Sequence, residues 1–170
     1  MDFTLRPWRA SDAPALAEAA DNPRIAANLR NAFPSPYTCA DAQGFIRDCL
    51  EREGPRQMCR AIEVDGAAAG SIGVFLGADV YEKSAELGYW LAEPYWNRGI
   101  LTAAVREICR AAFAAFDIVR IYAEPFAHNL ASRRVLEKAG FTCEGVMRRG
   151  VWKNGQFHDY CMYALLRDGL

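Results

Sequence analysis

Residues 85–104 read AELGYWLAEPYWNRGILTAA, and the fold turns on whether this stretch is one element or two. Residues 84–92, SAELGYWLA, have the aromatic and apolar content of a strand. In that strand Glu86, Gly88 and Trp90 fall on one face by alternation. Farther on, Val105, Ile108, Cys109, Ala112, Phe113 and Phe116 recur at helical spacing. That stripe predicts a helix over 99–116 with one buried face. The stretch is therefore a strand running into a helix, with Gly99 at the join. A helix beginning near Arg98 leaves its first backbone N–H groups without intrahelical partners, at the positive end of the helix dipole. Gly99 has no β-carbon to keep an anion from the backbone there, and Arg98 and Thr102 add a charge and a hydroxyl. Taken alone, the same residues also describe an ordinary helix start whose glycine serves helix-to-sheet packing.

The pattern repeats downstream. IVRIYAEPF (118–126) reads as a strand, LASRRVLEKAGF (130–141) as a helix stopped at Gly140, and residues 142–166 as two strands joined at Asn154-Gly155. Upstream, FTLRPW (3–8) is a strand ended by Pro7, followed by a helix in SDAPALAEAA (11–20) capped by Ser11 or Asp12. NPRIAANLRNAF (22–33) and TCADAQGFIRDCLERE (38–53) suggest two more helical pieces, separated by the prolines of PSPY. Two strands joined at Asp65-Gly66 fill 57–77. The element order predicts an α/β (α+β) fold in which helices lie on the faces of a mixed sheet.

The bulk composition is consistent with one domain over 1–170. The 170 residues are 52% hydrophobic and 24% charged, enough for a sizeable core. Twenty basic and 21 acidic residues give a formal charge of −1, so no global field draws the chain to nucleic acid or an anionic membrane. Apolar runs fall short of a membrane span and the first ten residues lack a signal-peptide stretch, so a cytoplasmic protein is expected. Six cysteines and two histidines show no CxxC pair and no metal-ligand spacing. No metal is expected, and the cysteines read as reduced packing residues.

Together, AELGYWLAEPYWNRGILTAA and HNLASRRVLEKAGF (128–141) resemble the acyl-CoA-binding core of the GNAT acyltransferases, in particular the RimJ/RimL-like branch of ribosomal-protein N-acetyltransferases. The likeness covers about residues 3–166 in element order and 86–145 in motif detail. It implies a GNAT fold with a mostly antiparallel sheet of six to seven strands, splayed between the strands at about 84–92 and 119–125. It implies acetyl-CoA as cosubstrate, with Asn97, Arg98, Gly99, Ile100, Leu101 and Thr102 cradling the pyrophosphate. The branch's loop pattern is Gln or Arg, two residues, Gly, one residue, then Gly or Ala. Trp96 and Leu101 depart from it at the first and last positions.

By the same resemblance pantetheine lies between the splayed strands along Leu87, Gly88, Tyr89, Trp90 and Leu91. Strand-edge amides suit that arm, and a backbone N–H near Tyr89 or Trp90 can stabilise the oxyanion. Asn129, Ser132 and Arg133 match cofactor-contacting positions, with the Ser132 hydroxyl near the sulfur as a catalytic donor to the departing thiolate. Without the resemblance, Asn129 is a helix cap with Ser132 in the first turn. Glu86 is the candidate base, or else an exposed carboxylate with solvent taking the proton. Some members of the branch carry a glutamate in the later strand, where this chain has Val151.

Phe33 and Tyr37, in RNAFPSPY (30–37), match a segment where the family forms part of the acceptor site. Arg148 and Arg149 meet an acidic acceptor or are solvated. Trp152, Phe157, Tyr160 and Tyr163 read mainly as core or rim packing, with the lining of the acceptor groove as the alternative for one or two of them, and the adjacent His158 and Asp159 point to opposite faces. The implied reaction is direct acetyl transfer to a primary amine, with a protein N-terminus as the leading acceptor and small amines, antibiotics or amino acids as alternatives. A monomer or homodimer is expected. A non-catalytic acyl-CoA sensor is the competing reading; a nucleotide-binding domain lacks a P-loop or GxGxxG after a strand.

Overall fold

A computed structural model describes residues 2–169. Seven strands form one sheet: β1 (Phe3–Arg6), β2 (Gln57–Val64), β3 (Ala67–Leu76), β4 (Ser84–Leu91), β5 (Arg120–Ala123), β6 (Thr142–Lys153) and β7 (Gln156–Leu166). Their spatial order is β1-β2-β3-β4-β5-β7-β6. Five helices accompany them: α1 (Ala13–Ala20), α2 (Pro23–Ala26), α3 (Cys39–Arg52), α4 (Ile100–Ala115) and α5 (Leu130–Ala139). Both hairpins turn where the sequence marks them. Asp65 and Gly66 have φ of 52° and 82°, Asn154 and Gly155 have 52° and 75°, the paired positive values that match strand twist in a two-residue turn.

The neighbours in this sheet are antiparallel except β4 and β5, which run parallel. Their register is short: Ser84 faces Arg120, Ala85 faces Ile121 and Glu86 faces Tyr122, after which the strands part. β4 stays paired to β3 as far as Leu91 opposite Gly70. The sheet is thus split lengthwise beyond Glu86, as expected for strands splayed in this region.

Helices cover both faces. On one face Ile100, Val105, Ile108, Cys109 and Phe113 of α4 pack with Ile72, Val74, Leu87 and Leu91 of the sheet in one buried cluster. On the other, Leu16 of α1 and Ile46 of α3 close over Trp8, Cys59, Ala61 and Ala68. Each large aliphatic side chain removed from water there contributes roughly 1.5–3 kcal/mol. The α4 stripe therefore ties the helix down firmly enough to fix where its first turn lies.

Two local expectations are corrected. The helix over 22–33 shrinks to the single turn Pro23–Ala26, capped by Asn22 Oδ1 accepting from Arg24 N at 2.8 Å. Beyond it the Leu29 carbonyl accepts from Lys153 Nζ at 2.6 Å, and residues 27–37 form a loop. Asp12 precedes α1 but does not cap it with its side chain. Its carboxylate instead accepts from Arg6 Nη1 and Nη2, each at 2.8 Å, and from Arg9 N at 2.9 Å. Burial acts to raise the Asp12 pKa, but these hydrogen bonds and the Arg6 charge hold it below the usual carboxylate range.

Candidate active site

The join quoted at the outset is an anion-binding geometry made of backbone. Gly99 has φ 79° and Asn97 has φ 61°, so the chain reverses sharply before α4. The first intrahelical bond runs from Ala103 N to Gly99 O at 3.1 Å. The N–H groups of Ile100, Leu101 and Thr102 lie ahead of that bond, and the N-cap residue, Gly99, has no side chain to cap them. A β-carbon on Gly99 would meet nothing within 4 Å; glycine is required there for its left-handed backbone rather than for close packing. Ile100 is buried, Leu101 packs partly into the core, and Thr102 is half-buried. Arg98 is exposed with its guanidinium 5.6 Å from the Tyr95 ring centre.

Trp96, the departure from the family loop, serves as an anchor. Its indole Nε1 donates to Leu91 O at 2.7 Å, and the Arg24 guanidinium lies 5.2 Å from its ring centre. The loop before Gly99 is thereby pinned to the end of β4.

The opening between β4 and β5 presents main-chain groups. Ala92 N donates to Ala69 O on the β3 side, so alternation sends the amides of Glu86, Gly88 and Trp90 toward β3 and those of Leu87, Tyr89 and Leu91 toward the opening. Of the two sites considered for an oxyanion donor, Tyr89 therefore has its N–H on the open edge. Gly88 is exposed, and a β-carbon there would have only the Phe75 ring within 4 Å.

Across the opening stands α5. Asn129 is its N-cap, with Oδ1 accepting from Ser132 N at 3.2 Å. Ser132 Oγ lies 2.8 Å from the Tyr89 hydroxyl, which also donates to Ser132 O at 3.3 Å. Burial pushes the Tyr89 phenol well above its usual pKa, partly offset by Ser132, so it stays a neutral donor. Arg133 Nε donates to Tyr163 Oη at 3.2 Å and Nη1 to Ala127 O at 3.1 Å.

On the opposite face of β4, side chains rather than amides converge. Glu86, at the last paired position before the strands part, accepts from Arg30 Nη2. The same Nη2 donates to Glu124 Oε2 at 3.1 Å. Burial, followed by the charge of Glu86, raises the Glu124 pKa, and Arg30 opposes this. Phe33 stacks at 5.8 Å edge-on to Trp90 and at 4.9 Å to Tyr37. Tyr37 is buried, with its phenol pushed up to about 12 chiefly by that burial. Phe33 is thus the more accessible of the two proposed acceptor contacts.

Beside Arg30 a groove of about 350 Å³ is lined by Asn31, Phe126, Gly150, Val151, Trp152 and Lys153. Val151, standing where some relatives have glutamate, is therefore part of the same wall. His158 stacks on Phe126 at 6.0 Å, while Asp159 accepts from Arg149 N at 2.7 Å; these two adjacent residues have separate jobs. Arg30, Glu124 and Lys153 escaped sequence reasoning. Glu124 lay within the quoted strand, but only the β4–β5 register places it beside Glu86.

Residues 2–142 match the family model for the acetyltransferase (GNAT) domain, and the chain belongs to that family. Among solved structures it superposes on Mycobacterium smegmatis RimJ in complex with CoA-disulfide with TM-score 0.88 and 26% identity, covering 99% of this chain and 83% of that one. The RimL ribosomal L7/L12 alpha-N-protein acetyltransferase in complex with coenzyme A shares the fold, with TM-score 0.86, 24% identity and coverage of 99% and 96%. The putative ribosomal N-acetyltransferase YdaF of Bacillus subtilis is 37% identical over 103 residues, 61% of this chain and 56% of its own length. The chain spans about half the length of the first curated relatives it matches.

Proposed function

We propose that this chain transfers acetyl from acetyl-CoA to a primary amine, with the N-terminal amine of a protein or peptide as the acceptor. The observation that carries the reading is the alignment of three uncapped N–H groups after Gly99 with a split sheet whose floor holds Glu86. The amides of Ile100, Leu101 and Thr102 bind the diphosphate, and the Leu87–Leu91 edge pairs with the pantetheine amides like an added strand. Tyr89 N–H polarises the thioester carbonyl.

The amine nitrogen attacks that carbonyl carbon; the C–N bond forms and the C–S bond breaks. The amine's proton passes to Glu86, directly or through water, and the departing thiolate accepts a hydrogen bond from the Ser132 hydroxyl, which Tyr89 orients. An α-amine, with a pKa of about 7.7–8.0, needs less help than a lysine at about 10.4, which suits a base on a half-open face. The name of the RimL neighbour, an alpha-N-protein acetyltransferase, supports an N-terminal acceptor. The six free thiols support a reducing, cytoplasmic setting.

Calorimetric titration with acetyl-CoA, then thiol release across peptides with different N-terminal residues and a set of small amines, tests the reading. Acetyl-CoA binding with release driven by peptides is the expected result. Release driven by small amines alone moves the acceptor class. Binding with no release above background makes the protein an acyl-CoA sensor.

A further inference from the structure

The acceptor face carries its own cation. Arg30 comes from the loop after α2 and reaches across the mouth of the split sheet, where one guanidinium nitrogen contacts both Glu86 and Glu124. Glu86 lies on β4 and Glu124 immediately follows β5, and parallel pairing brings them together: Glu86 lies opposite Tyr122, two residues before Glu124. Each carboxylate is about three-quarters buried, whereas the Arg30 side chain is 67% exposed. The two carboxylates are thus built into the floor of the site, while their counter-ion is a solvent-exposed arm.

We propose that Arg30 is an internal stand-in for the acceptor: its guanidinium occupies the seat of the acceptor's ammonium between Glu86 and Glu124, and an incoming amine must displace it. The inference rests on the reading of this face as the amine site.

Physical chemistry favours such an exchange. Two partly buried carboxylates close together repel, and an uncompensated pair is costly. A cation must therefore sit there before the acceptor arrives. Contacts made by an exposed arm are individually weak, so this one is held firmly enough to neutralise the pair and loosely enough to leave. The arm's root is well fixed, since Lys153 Nζ holds Leu29 O at 2.6 Å and Phe33 N donates to Arg30 O at 3.0 Å. The neighbouring groove, lined by Arg30 itself with Phe126, Val151 and Trp152, lies where the displaced guanidinium can swing. A cationic acceptor enters by replacing one positive charge with another. A neutral molecule brings no replacement charge, so the device favours amines that arrive protonated without barring those that arrive neutral.

The test reads the seat without turnover. Glutamate side-chain carboxyl carbons are observed by NMR at fixed ionic strength while n-propylammonium chloride is titrated into wild type, Arg30→Ala and Arg30→Lys. Arg30→Ala should bind n-propylammonium about tenfold more tightly than wild type, the scale set by two partly exposed ion pairs no longer in competition. Arg30→Lys restores an internal cation and should return affinity to near the wild-type value. Adding Glu86→Gln to Arg30→Ala should abolish the gain. Equal or weaker binding by Arg30→Ala overturns the proposal, as does Arg30→Lys behaving like Arg30→Ala. A wild-type enzyme that acetylates amines while Arg30→Ala gains no affinity defeats the stand-in alone. Failure of every acceptor in the thiol-release screen defeats the underlying reading.

Discussion

The two faces of β4 are built by different means. Toward α4 and α5 the working groups are main-chain amides at a helix start and a strand edge, contributed by a nearly continuous run from Leu87 to Thr102. Toward α1 and α3 they are charged side chains from distant segments, Arg30, Glu86 and Glu124, with separations of 56 and 94 residues between the paired groups. The difference teaches what each side must recognise. Under the proposed function, a carrier with a diphosphate and two amides is met by fixed backbone geometry, which few side-chain changes disturb, and the acceptor is met by side chains that can be exchanged without altering the fold.

If that division holds, substitutions on the two faces should fail in different ways. The largest effect is expected from Glu86→Gln, which should lower turnover by about 100-fold near neutral pH, the lower end of general-base contributions, while leaving acetyl-CoA affinity intact. The sign of its pH dependence follows from the acceptor. Below about 7.7–8.0 an α-amine is largely ammonium and must lose a proton, whereas above that range it arrives neutral, so the deficit should shrink in alkaline buffer. A loss of equal size at every pH would remove Glu86 as the base.

A smaller effect of the opposite kind is expected at the helix start. Gly99→Val places a β-branched residue at φ 79°, where left-handed backbone costs about 1–2 kcal/mol or more. Relief of that strain turns the first amides, and acetyl-CoA should bind about tenfold more weakly by calorimetry. Gly99→Asn, which tolerates this region, should lose less. Identical affinities for both variants would show that backbone conformation at 99 is not what binds the carrier. The smallest change belongs to Ser132→Ala. A thiol of pKa about 8.5 is already a tolerable leaving group, and the Tyr89 hydroxyl stays nearby, so kcat should fall only several-fold. Steady-state kinetics showing complete loss would make Ser132 essential and blur the contrast between the faces.

How far each face was legible follows from the same distinction. The strand, turn and helix of 84–116, both hairpins and the Asn129 cap depend on residues close in the chain, so periodicity and turn chemistry reveal them. The segment 22–33 misleads because helical spacing there is overridden from afar: Lys153, 124 residues away, takes the Leu29 carbonyl. Asp12 misleads in a similar way, since its carboxylate is drawn to Arg6 rather than to the helix it precedes. Glu124 carries no local signal of its own, and parallel pairing of β4 with β5 is what sets it next to Glu86.

From its order of residues alone, this protein's family, the position of the turn before α4 and the candidacy of Glu86 could be read, because each is encoded in short runs with their own backbone preferences. The folded molecule alone decided which charges share a site, which amides of β4 face the opening and which cation covers the carboxylates. Those outcomes depend on strand register and on contacts between segments far apart in the chain, and local chemistry constrains neither.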